Sequence, residues 1–171
     1  MVTEKPTFYW DSCIFIAWLQ NEKRQAGEME GIREMVSQLD RNEAKLVTSV
    51  ITETEVLEST LTQVAQQKFS AVLRRRCVQV VTVDRKISKL AHEIRDFYKK
   101  QPNRKRTISS PDSIHLATAI FYKVDPFYTF DENDDNENLG LIPLSGIIAG
   151  KYKLIIKKPM GQQLDAFNSI K

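Results

Sequence analysis

Short apolar runs that stop at a polar residue and give way to apolar positions at helical spacing recur along this chain, and that alternation constrains its fold most. Phe8-Tyr9-Trp10 stops at Asp11, after which Ile14, Phe15, Trp18 and Leu19 share a helical face. Over 28–39, Met29, Ile32, Met35, Val36 and Leu39 line an amphipathic helix. Residues 46–48 predict a second strand; from Ser49, a helix carries Val50, Leu57 and Leu61 with Thr54 on one face, and a further helix around 64–73 runs into Arg74-Arg75-Arg76. The β-branched, nearly uncharged run 78–83 predicts a strand covered on both faces and closed by Asp84. A helix over 85–100 turns Ile87, Leu90, Ala91, Ile94 and Phe97 inward, and Ser110-Pro111 reads as an N-cap and first helical position of another, ending near 123. Residues 127–130 and 153–156 complete the strands. Repeated strand–helix–strand units imply a parallel sheet between helical layers, a three-layer α/β/α sandwich with a central, mainly parallel sheet. The 171 residues suit one domain over 1–158, with 159–171 as a tail or short helix.

Composition narrows the function little. The 25 Lys+Arg and 22 Asp+Glu leave a net charge of +3. Apolar stretches break within about ten residues, whereas a membrane span needs roughly 18 to 20, so the expectation is a soluble protein with no membrane partner. The N-terminus lacks the pattern of a secretory signal, which makes the cytoplasm the expected location. Cys13 and Cys77 are distant, apolar in setting and outside any CxxC pair, so neither a disulfide nor a zinc site is expected.

Acids recur where strands end. Asp11 ends the first strand, Asp131 the late one, Glu55 lies within two turns of the second, and Asp112 opens a helix. In open parallel sheets ligands collect at that edge. Carboxylates brought together there repel unless a cation neutralises them, and a hard divalent ion meets that need. Each acid also has an ordinary reading. Asp11 caps the next helix, Thr52 and Glu55 form a capping box, Asp112 favours its helix dipole, and the acids from 131 to 137 make a solvated loop. Helical periodicity puts Glu53 nearer the core face than Glu55 and leaves open the choice among Glu53, Glu55 and Glu58.

Four segments together resemble a known family. Tyr9-Trp10-Asp11-Ser12, Ser49-Val50-Ile51-Thr52-Glu53-Thr54-Glu55, Asp112-Ser113-Ile114-His115-Leu116-Ala117-Thr118-Ala119 and Thr129-Phe130-Asp131 are similar, in order and spacing, to the motifs of PIN-domain nucleases, which include the VapC toxins of bacterial toxin–antitoxin pairs. The resemblance runs from Tyr9 to about residue 135, and its Ser-to-acid spacing selects Glu55. It implies a PIN-like fold in which Asp11, Glu55, Asp112 and Asp131, assisted by Asp134 or Asp135, hold one or two Mg²⁺ or Mn²⁺ ions, with Ser49 and Thr129 as hydroxyls orienting carboxylates. It further implies a metal-dependent endoribonuclease that leaves a 5′-phosphate and a 3′-hydroxyl, forms a homodimer and is blocked by a cognate antitoxin. The sequence departs from the family at Cys13, where many members have Asn. The alternative is a non-catalytic RNA-binding or protein-scaffolding PIN domain; a phosphatase lacks its D-x-D nucleophile, since Ser12 and Cys13 follow Asp11.

Other signals fail. The acids from 131 mimic a calcium loop, but Asn136 stands where Gly is needed and Ile142 where Glu is needed. Gly146 to Lys151 is one residue short of a P-loop and continues with Tyr152. His92 and His115 fall within helical patterns with no metal-ligand spacing; core or supporting packing is the main expectation for His115, and proton transfer the other. Two basic groups, Arg74, Arg75 and Arg76, and Lys99, Lys100, Arg104, Lys105 and Arg106, are either solvated faces or a phosphate track for RNA, and the latter binding would weaken with salt. The net charge also conceals a division: five of the 22 acids lie within 131–137, so the rest carries 25 against 17, or +8.

Overall fold

The computed structural model describes residues 4–102, 106–133 and 138–162. Its main sheet has five strands, β1 (Thr7–Trp10), β2 (Lys45–Ser49), β3 (Val78–Val81), β4 (Phe127–Tyr128) and β7 (Ile156–Lys157), in the order β3-β2-β1-β4-β7. Every pairing in it is parallel. A separate antiparallel hairpin joins β5 (Gly146–Ile148) to β6 (Tyr152–Leu154). The helices are α1 (Ser12–Gln20), α2 (Glu28–Asp40), α3 (Ile51–Glu58), α4 (Gln63–Leu73), α5 (Arg85–Lys99) and α6 (Ser110–Phe121). None of the described helices is long and apolar enough to cross a membrane.

The central strand shows why the layers form. Successive side chains on β1 point to opposite faces, and all of Phe8, Tyr9 and Trp10 are buried. Phe8 and Trp10 join Ile14, Phe15, Met29, Ile32, Met35, Phe69 and Val72 beneath α1, α2 and α4. Tyr9 joins Ile87, Ala91, Ile94, Tyr98, Leu116 and Ala119 beneath α5 and α6. Each such side chain contributes about 1.5–3 kcal/mol by leaving water. A strand apolar on both faces needs a helical layer on each, so the three-layer reading holds.

Several local expectations are corrected. β3 is an edge strand, only Val81 of it buried, because nothing pairs beyond it among the described residues. In α3 the buried positions are Thr52 and Val56, while Val50 and Leu57 face outward, since α1 packs on the opposite stripe of this two-turn helix. On α5, Tyr98 rather than Phe97 enters the core, its hydroxyl accepting from Ala149 N–H at 3.1 Å, while Phe97 sits at the rim beneath Gly150. Ser109, not Ser110, caps α6, which puts Pro111 at the second helical position. β4 covers two residues of the expected four, and the expected last strand is divided between β6 and β7. The failed P-loop segment is the β5–β6 hairpin, whose turn places Ala149 and Gly150 at positive φ. Residues 159–162 pack along α2: Gly161 N–H donates to Gly27 O at 2.9 Å and Gln162 N–H to Glu34 Oε2 at 3.0 Å.

Candidate active site at the carboxyl edge of the sheet

β1, β2 and β4 all release their chains at one edge, and the acids follow. Asp11, 5% exposed, is the N-cap of α1. Its Oδ1 accepts from Cys13 N–H at 3.0 Å and from the Cys13 thiol at 2.8 Å. The ordinary capping role is therefore real, and the carboxylate is held deep at the strand end. Burial pushes its pKa above the ordinary value, the nearby Asp112 charge adds to that, and His115, Cys13 and Thr129 oppose it. Phe130 N–H donates to the Cys13 sulfur at 3.1 Å, tying α1 to the exit of β4. Burial and the Asp11 charge push the Cys13 thiol well up, so it stays protonated and donates.

Asp112 lies in the first turn of α6, where the Ser109 hydroxyl donates to its Oδ2 and its own N–H donates back to Ser109 Oγ at 3.1 Å. One turn further, buried His115 places Nε2 at 2.8 Å from Oε2 of Glu55 on α3, and Nδ1 at 2.7 Å from the hydroxyl of Tyr9 on β1. Burial, then the Asp11 charge, holds the Tyr9 phenol well above its ordinary pKa, so the phenol keeps its proton beside Nδ1. Nε2 faces the Glu55 carboxylate, an acceptor, and donates to it. Glu55 is thus the acid of its segment that hydrogen-bonds to α6. This link between His115 and its partners was not legible from spacing, because they are 60 and 106 positions away.

The expected residues divide in place. Asp11 and Asp112 lie within electrostatic reach of each other, and Glu55 joins them through His115. Asp131 leaves β4 at the same edge, where its Oδ2 accepts from Leu141 N–H at 3.1 Å. Thr129 stands beside Asp11 and accepts from Asp131 N–H at 3.0 Å, whereas the Ser49 hydroxyl accepts from Ile51 N–H at 3.4 Å at the start of α3 and meets no carboxylate among the described residues. Asp134 and Asp135, and the basic Arg104 and Lys105, lie outside the described residues. Arg74, Arg75 and Arg76 precede β3 and so lie at the opposite edge, where Arg75 pairs with Asp40 at 2.8 Å and Arg76 shares a pocket with Thr7 and Lys45. Lys99 and Lys100 lie at the C-terminal end of α5, remote from the end that follows β3, and Lys100 pairs with Asp96 at 2.6 Å. Arg106 precedes the Thr107–Asn138 bridge.

Positive charge at the carboxyl edge comes from residues without a run to mark them. Lys23, Arg24 and Lys158 line a pocket of about 390 Å³ with Phe130 and Glu132. The Arg24 guanidinium lies 4.0 Å from the Phe130 ring centre, and Lys158 pairs with Glu132 at 2.5 Å and with buried Glu28 at 3.3 Å.

Among the described residues no three His, Cys, Asp or Glu side chains stand close enough together to hold an ion as placed. The donor chemistry nonetheless fits a hard divalent cation: the acids offer oxygen alone, and Asp11 is a buried carboxyl beside another acid, a state that a cation relieves. Glu55 keeps Oε1 unbonded among the described residues, in a side chain 26% exposed.

A family model described as PIN domain matches residues 8–136. Curated proteins give no match. Solved structures with a similar fold include VapBC2 from Rickettsia felis, bound to a DNA fragment from its promoter (TM-score 0.55, 16% identity, covering 78% of this chain and 96% of that one). DNA-bound VapBC from Salmonella typhimurium gives TM-score 0.55 at 16% identity over 88% of this chain and 98% of that one. Mycobacterium tuberculosis VapC20, described as a sarcin-ricin loop cleaving toxin, gives 0.53 at 15% identity over 74% and 91%.

Proposed function

Because this chain belongs to the PIN-domain family, we propose that it is a VapC-like, metal-dependent endoribonuclease hydrolysing phosphodiester bonds in RNA. What supports the reading is Asp11, sealed at the end of the central strand, with Asp112 in electrostatic reach and Glu55 tied in through His115. Asp11, Glu55, Asp112 and Asp131 would hold Mg²⁺ or Mn²⁺, and Asp134 or Asp135 would assist. Such an ion, when bound, supplies an acidified water and stabilises charge on the phosphodiester.

The chain's own residues do the rest. Cys13 and Thr129 fix Asp11 without neutralising it, and Ser109 fixes Asp112. Lys23 and Arg24, beside the exit of β4, guide the polyanion toward the acids. A second copy of the chain and a cognate antitoxin are the protein partners of this reading; outward-facing Val50, Leu57 and Val64 offer apolar surface for them.

The test incubates the purified protein with mixed-sequence RNA and Mg²⁺ or Mn²⁺, with and without chelator, beside Asp11→Asn. Cleavage that the chelator stops and that the variant loses by about a hundredfold or more is the expected result. Equal cleavage by both proteins overturns the reading, and RNA binding without cleavage favours a non-catalytic RNA-binding domain.

A further inference from the structure

We infer that His115 is a positioning residue of this site: with Nδ1 held 2.7 Å from the Tyr9 hydroxyl and Nε2 donating to Glu55 at 2.8 Å, it fixes the Glu55 carboxylate for a divalent cation. The inference rests on the metal-dependent reading above and adds two residues, His115 and Tyr9, that lie outside its acids.

Three elements meet in this relay. Tyr9 is fully buried on β1, its ring stacked on Phe127 at 4.8 Å and 10° and set edge-on to His115 at 5.8 Å. His115 on α6 is 1% exposed, and Glu55 on α3 lies at the surface end. The two inner members have no freedom to turn, so the order of the core is passed outward to a carboxylate that would otherwise sample several rotamers. A histidine that served only to pack the core would end on a backbone carbonyl or another buried group. This one ends on a partly exposed acid whose second oxygen meets no hydrogen-bond partner among the described residues.

The placement of His115 on α6 adds a second constraint. Asp112 and His115 are three residues apart and so share a face of the helix. One rigid helix therefore carries Asp112 itself and sets Glu55 through His115, so that the two carboxylates keep a fixed relation although they belong to elements remote in sequence. The small side chains Ala117 and Ala119, both fully buried, let that helix lie close against the sheet.

The test measures Mn²⁺ binding to the whole chain by electron paramagnetic resonance, with thermal unfolding and RNA cleavage run in parallel, for wild type, His115→Phe, His115→Gln, Tyr9→Phe and Glu55→Gln. His115→Phe is expected to weaken Mn²⁺ binding about tenfold to a hundredfold. RNA affinity in chelator should stay unchanged, and His115→Gln, which keeps an N–H donor, should recover part of the loss. Nitrogen-15 spectra of the wild-type imidazole should show Nε2 protonated and its signal moved in Glu55→Gln. A folded His115→Phe with wild-type Mn²⁺ affinity, or a ring protonated at Nδ1 instead, overturns the inference while leaving the nuclease reading intact. If His115→Phe does not fold, Tyr9→Phe, which keeps the ring stack, carries the test, and unchanged Mn²⁺ affinity there overturns it equally. A wild type that binds no Mn²⁺ overturns the nuclease reading and the inference with it.

Discussion

The Cys13 thiol donates to Oδ1 of Asp11 at 2.8 Å, and the N–H of the same residue reaches the same oxygen at 3.0 Å. The position where many family members carry Asn is thus filled by a residue that still offers a donor to the first acid. Because burial and the Asp11 charge hold the thiol protonated, and the thiolate is the reactive form, Cys13 should resist iodoacetamide at neutral pH in the folded protein. Peptide mapping by mass spectrometry checks this against a denatured sample, in which the residue should be fully alkylated; rapid native labelling would contradict a thiol bonded to Asp11.

Asp11 ties stability to pH. Its carboxyl is raised in the folded state, chiefly by burial, above the roughly 3.9 of an unfolded chain. A raised acid stabilises the fold fully below the unfolded value and loses that contribution as pH rises through the folded one. In chelator at pH 7, Asp11→Asn, which can still cap α1, should therefore melt above wild type, and the gap should close toward pH 4. Added Mn²⁺ should raise the wild-type midpoint and leave the variant's unchanged. Calorimetric scans across that range decide it, and a variant that melts below wild type at pH 7 and equals it at pH 4 would show the sign to be wrong.

Gly31 on α2 lies against the backbone of Met160, where an added Cβ would stand 2.5 Å from its nitrogen. Backbone cannot yield as a flexible side-chain end can, so Gly31→Ala should lift residues 159–162 from the helix at a cost of about 1–3 kcal/mol. Limited proteolysis should then cut near residue 160 sooner than in wild type, with RNA cleavage little changed.

The two edges of the sheet should differ in RNA binding. Neutralising Lys23 and Arg24 at the carboxyl edge should weaken binding and flatten its dependence on salt by about one unit of slope for each phosphate no longer neutralised. Neutralising Arg74 and Arg76 at the opposite edge should leave both nearly unchanged. Fluorescence anisotropy over a salt series separates the outcomes, and equal effects at the two edges would refute the assignment.

Much of this architecture was legible in the order of residues. An apolar run with no polar face, such as Phe8 to Trp10, has to be covered on both sides, and strand-to-helix repeats of this length leave a parallel sheet as the economical answer. Faces of short helices were less legible. At α3 the apolar side chains of Leu57 and of Val50, the residue that precedes the helix, face outward and Thr52 inward, bonded to Thr48 at 2.7 Å, because a buried hydroxyl with a partner is as acceptable as a methyl group. Runs of arginine were silent on place, since a local cluster does not say at which end of a strand it lies.

The sequence by itself determined the strand-and-helix alternation, the acids at the strand ends and the cap at Asp11, all of which depend on neighbours within a few positions. Only the tertiary structure decided that Glu55 is bonded to α6, that His115 links it to Tyr9, and that Lys23 and Arg24 stand at the acidic edge. The physical reason is distance along the chain: a hydrogen bond between groups 60 or 106 positions apart leaves no period or local propensity to read, and exists only once the sheet has brought β1, α3 and α6 together.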